Sequence, residues 1–92
     1  MSWDEFTACA GEDGQILYEA GEDAVTQFKE VWDSLPETVQ KMVIRAAEWG
    51  GALLVRALAA AGVAAAEAIA AAAAGIGLGA LIAIIYDCYD KL

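Results

Sequence analysis

Three charged residues, Arg45, Arg56 and Glu67, recur at intervals of eleven. Eleven residues make nearly three turns of an α-helix, so on one continuous helix their side chains share a face. Glu37, Lys41 and Glu48 join that side at spacings of three or four, within reach for Glu37 to pair with Lys41 and Arg45 with Glu48. The chemistry open to such a stripe is charge pairing, not bond breaking. Glu67 is its most demanding member, because it is the single charge in residues 57–86. A carboxylate in apolar surroundings must reach water, find a cation or take up a proton. Inside a bilayer it would mark a functional site by default. The expected partner is Arg56 or Arg45, of the same chain or of a neighbouring copy.

Cys9 and Cys88 are the other reactive pair. They lie near opposite ends of the chain, so a disulfide requires the termini to meet; two buried free thiols is the plainer expectation. There is no His and no CxxC spacing, so neither a zinc nor a redox centre is expected. No nucleophile stands beside a base, and no glycine-rich loop sits between a strand and a helix. The expectation is a protein that is not an enzyme, without catalytic or metal-ligating residues and without a cofactor, bound lipid aside.

The elements carrying these residues are all helical, since no alternating strand pattern occurs anywhere. The expected fold is all-α: an acidic amphipathic N-terminal segment, residues 1–35, and an apolar helical segment, residues 36–92. In the first, Trp3, Phe6 and Ala10 have helical spacing before "GEDG" interrupts. Leu17, Ala20, Ala24, Phe28, Val31, Trp32 and Leu35 then form one apolar stripe, with carboxylates filling the other positions. "SLPE" reads as a helix start, with Ser34 as cap and Pro36 in the first turn. From there a long Ala/Gly-rich helix is expected over 36–74, interrupted at most at Gly50-Gly51 and Gly62. A shorter apolar helix follows from Ala80, and the two form a helical hairpin bent at Gly75–Gly79, one rod being the alternative.

Composition says what these helices must do. The chain is 92 residues long and 60% hydrophobic, and it carries a net charge of −9. Residues 1–37 hold ten of the fourteen carboxylates and only Lys29, whereas later charges balance. Such an acidic block argues against nucleic-acid binding, which needs a basic face; it suits a solvated surface that keeps the chain soluble or oriented. Alanine supplies much of the apolar excess, with thirteen in residues 57–74, and alanine favours helix while burying little area. A small chain with such a core is expected to complete its burial on lipid or on copies of itself. Residues 68–86 give nineteen uncharged positions, about the ~20 that span a bilayer. Gly62 with Ala66, and Gly75 with Gly79, are pairs of small residues four apart that let helices approach closely. The opening "MSWDEF" is acidic, and no cleavable signal peptide is visible.

An acidic amphipathic part, a long Ala/Gly-rich helix and a second apolar segment resemble the small helical subunits of membrane-derived filaments, such as conjugative-type pilins and filamentous-virus coat proteins. That resemblance implies a structural subunit that waits in a membrane and then stacks helically into a filament or coat, with Arg45 and Arg56 facing a lumen, headgroups or cargo. It implies a membrane or an extracellular or virion-surface location. Two other functions fit the same pattern. One is a pore-forming or membrane-disrupting peptide of bacteriocin type, or its precursor, with Gly50-Gly51 as a processing site. The other is a small membrane-anchored protein of immunity type.

Overall fold

Pro36 and a few glycines decide where the chain turns. The computed structural model describes residues 3–91, and its elements are all helical. In chain order they are α1 (Trp3–Ala10), a 3-10 turn (Gly11–Asp13), α2 (Gly14–Ala20), α3 (Glu22–Ser34), α4 (Glu37–Trp49), α5 (Gly51–Ala61), α6 (Ala66–Ile76), α7 (Leu78–Cys88) and a closing 3-10 turn (Tyr89–Lys91). Met1, Ser2 and Leu92, the outer limits of the two expected segments, lie outside the described residues.

The expected amphipathic helix after "GEDG" is split at Gly21 into α2 and α3. Pro36 ends α3 as expected, because the residue before proline is driven out of helical geometry, and Leu35 is extended at φ −77°, ψ 139°. Ser34 does not cap α4. Its hydroxyl donates instead to the Val31 carbonyl in the last turn of α3, and the Pro36 carbonyl accepts from Val39 and Gln40.

The long helix expected over 36–74 is absent. The chain breaks at Gly50 and again across residues 62–65, giving three helices in place of one. At Gly62 the reason is local. Its N–H donates to Ala59 and that of Val63 to Leu58, satisfying the last carbonyls of α5. That closure needs the left-handed backbone, φ 103° and ψ 11°, that glycine supplies without a steric penalty. Gln27 of α3 holds the loop, its amide nitrogen donating to the Gly62 carbonyl and its oxygen accepting from the Ala64 N–H.

The bend expected at Gly75–Gly79 falls on Gly77, at φ 87° and ψ 142°, a region other residues occupy only under strain. The axes of α6 and α7 turn there by 104°. Residues 57–86 are therefore neither a rod nor a folded-back hairpin, but the end of α5, a loop, and two short helices, α6 and α7, that meet at a corner.

One core joins both halves of the chain. Phe6, Leu17, Val25, Phe28 and Trp32 from the acidic segment interlock with Val43, Leu54, Leu58, Ile69, Leu81 and Ile85. α6 runs through the middle, touched by α2, α3, α5 and α7. Its buried Ala66, Ala70, Ala72 and Ala73 let those neighbours approach closely. The alanines expected to face lipid or sister molecules are thus partly consumed inside the chain. The radius of gyration is 12.1 Å, about the ~12 Å of a packed domain of this length. The bulky residues that alanine lacks are imported from the N-terminal helices. Trp3 stacks on Phe6 at 5.0 Å, and Phe28 on Trp32 at 5.5 Å.

Candidate functional site

The α6–α7 pair is the most apolar part of the molecule, and the rest of the chain is wrapped on it. No single helix among the described residues is long and apolar enough to cross a membrane; the bent pair has the length and composition when taken together. What holds it down is a set of fastenings at its C-terminal end.

The first is covalent. The two ends of the described residues do meet, and Cys9 of α1 is joined to Cys88 at the end of α7 across 79 positions of sequence. Free thiols, the plainer expectation, are therefore replaced by the disulfide. Cys88 is buried and Cys9 is exposed, so one sulfur of the pair belongs to a residue open to solvent.

The second fastening is a polar clasp between α3 and α7. Lys29 lies one turn before Asp33, as the i, i+4 spacing dictates, with Nζ 2.6 Å from Oδ2. The same ammonium sits 5.0 Å from the ring centre of Tyr86 and 4.4 Å from that of Tyr89, close enough for cation–π attraction. The Tyr86 hydroxyl donates to the other Asp33 oxygen. The Lys29 hydrogen bond, then the Tyr86 hydrogen bond, holds the Asp33 carboxyl below its ordinary range. Partial burial, seconded by the bond to Asp33, pushes Tyr86 up to about 12.

The two shifts bound a pH window. Asp33, depressed on folding, contributes stability above the unfolded carboxylate value, ~3.9, and loses it as the pH falls through its folded value. Tyr86, raised on folding, contributes below its unfolded value, ~10, and loses it as the pH climbs towards 12. A spectrophotometric titration is expected to show one tyrosine ionising near 12. In Asp33→Asn that step should move down yet stay above the ordinary value, because burial, the larger cause, remains. A step that does not move would mean that the clasp is not formed in solution.

The residues of the expected polar stripe do not form one face. Lys41 and Arg45 are exposed on α4, Arg56 on α5 and Glu67 in the first turn of α6. Each break between helices resets the rotation that made eleven residues nearly three turns. Lys41 pairs with Glu37 at 3.2 Å, as the spacing predicts. Among the described residues no ion pair forms at Arg45, Arg56 or Glu67. Glu67 needs none: it meets water directly and stands at the helix end where backbone N–H groups favour negative charge.

The small-residue pairs are likewise separated. Gly62 lies in the loop and Ala66 inside α6. Gly75 ends α6 against Ile16 of α2, whose Cδ1 would stand 3.0 Å from an added Cβ, whereas Gly79 of α7 has open space around it. Gly50 and Gly51 form the exposed joint of α4 and α5. The clasp was only half visible in sequence: Lys29–Asp33 spacing reveals one pair, but nothing local links Asp33 to Tyr86, 53 positions away. Among the described residues no cluster of His, Cys, Asp and Glu could hold a metal ion.

Comparison with protein-family models, with curated proteins and with solved structures finds no match. The likeness to pilins and coat proteins rests on the sequence pattern alone.

Proposed function

We propose that this protein is a membrane-active subunit, a closed globule that delivers its apolar α6–α7 pair into a bilayer, where copies associate. The observation that carries this reading is the pair itself: among the described residues, the one stretch with the length and composition of a span, bent at Gly77 and fastened at its far end by a disulfide and a clasp. Straightened, residues 68–86 would measure about 28 Å at 1.5 Å per residue, close to the ~30 Å hydrocarbon core. The small residues on its outer side, Ala71, Ala74, Gly79, Ala80 and Ala83, are exposed and suit close contact between helices in lipid. A disulfide persists outside reducing compartments, which suits action at or beyond a cell surface.

Stacking as long rods has less support. The longest helices, α3 and α4, run thirteen residues, about 20 Å, and offer no extended wall.

Dye release from sealed liposomes tests the proposal. The protein is expected to release dye, more strongly once the disulfide is reduced, and residues of α6–α7 should become protected from proteolysis by the lipid. Intact liposomes under both conditions, with no such protection, would refute it.

A further inference from the structure

We infer that the outward side of α4 and α5 is a docking surface for anionic lipid headgroups. The inference rests on the membrane reading above and names the lipid class that would receive the protein.

Six large apolar side chains stand exposed among the described residues, and four of them, Met42, Ile44, Trp49 and Leu53, fall within α4 and the first turn of α5. Scattered singly such residues need no explanation, but Trp49 at 75% and Met42 at 69% exposure lie on one flank of α4, seven residues apart. Tryptophan with a wet ring edge and an apolar body is suited to the boundary between headgroups and acyl chains.

The charges on the same two helices are arranged to match. Successive helical residues are rotated by about 100°, so Lys41 and Arg45 stand nearly opposite the buried Val43, and Arg56 nearly opposite the buried Leu54. All three cations therefore point away from the core. Lys41, Ile44, Arg45 and Glu48 line a shallow groove between them. α4 and α5 carry three cations against Glu37 and Glu48, a balance of +1, while the rest of the chain carries Lys29 and Lys91 against twelve carboxylates. The Debye length at physiological salt is about 8 Å, less than the shortest dimension of the molecule, 19 Å. Charges across the molecule are therefore screened from a flat anionic surface touching this side, which meets the three cations together with Glu37 and Glu48, a local balance of +1 where the rest of the chain is strongly negative. α5 also leads directly into the α6–α7 pair, so a protein docked here has its apolar helices next to the lipid.

Sedimentation with vesicles of phosphatidylglycerol and phosphatidylcholine, against phosphatidylcholine alone, tests this. Binding is expected to the anionic vesicles, to weaken at high salt, and to fall about a hundredfold in Lys41→Gln/Arg45→Gln/Arg56→Gln, at roughly fivefold per cation near an anionic surface. Trp49→Ser should weaken binding separately, and circular dichroism will report whether these surface variants fold. Equal binding to both vesicles, or an unaffected triple variant, overturns the inference. So does a protein that ignores vesicles but self-associates in solution until the triple substitution disperses it, which would assign the surface to a second copy. Charge-dependent docking without dye release leaves this surface standing and removes membrane insertion; dye release indifferent to the three cations does the reverse.

Discussion

Reducing the Cys9–Cys88 disulfide is expected to remove about 4–5 kcal/mol of folding stability. The bond closes a loop spanning 79 positions, and in the chain-entropy account that restraint on the unfolded chain grows with loop length, from about 3 kcal/mol for fifteen residues to about 4.7 for a hundred. Domains of this size are stable by only roughly 5–14 kcal/mol. Their midpoints move about 4–8 °C per kcal/mol, so a fall on the order of 20–30 °C should accompany reduction, and equally Cys9→Ala/Cys88→Ala. Thermal melts with and without reductant read it directly. Coinciding melts would show that the ends are held by packing alone, and that the fastening is not the one described.

Phe28→Ala should cost nearly as much, about 3–5 kcal/mol. The ring is fully buried and stacks on Trp32. It belongs to α3, the helix that packs on both α6 and α7 and carries Lys29 and Asp33. Truncation leaves a cavity whose lining comes from rigid helices, which limits relaxation. Urea titration measures the loss. A change below about 1 kcal/mol, the range of substitutions away from packed sites, would place Phe28 outside the core and undo the assignment of α3 as the strap over the apolar pair.

These expectations depend on features that sequence reading reaches unevenly. The all-α class is legible, because spacings of three and four recur and alternation never does. The end of α3 is legible from Pro36, and the Glu37–Lys41 pair from its spacing. The division of the remainder is not. An internal glycine costs about 1 kcal/mol in a helix, a sum that a few buried methyl groups outweigh, so Gly21, Gly50 and Gly62 are compatible with passage or with a break. At Gly62 the capping turn is held in place by Gln27 of α3, a contact 35 positions away that no local pattern announces. Once the helices separate, the shared face of Arg45, Arg56 and Glu67 dissolves, since periodicity holds only within an unbroken helix. Small alanine side chains misled in a related way. They bury little area themselves, but they admit Phe6, Leu17 and Phe28 from elsewhere in the chain. Composition counts the alanines and cannot see who packs on them. The meeting of Cys9 with Cys88 follows from that wrapping and from no local signal.

Joining α1 to the end of α7 also sets the topology of any entry into lipid. With the two sulfurs bonded, the end of α7 stays beside α1, so α6 and α7 can dip in and return to the leaflet they left, a re-entrant wedge. Cutting the bond removes that tether and frees the end of α7 from α1.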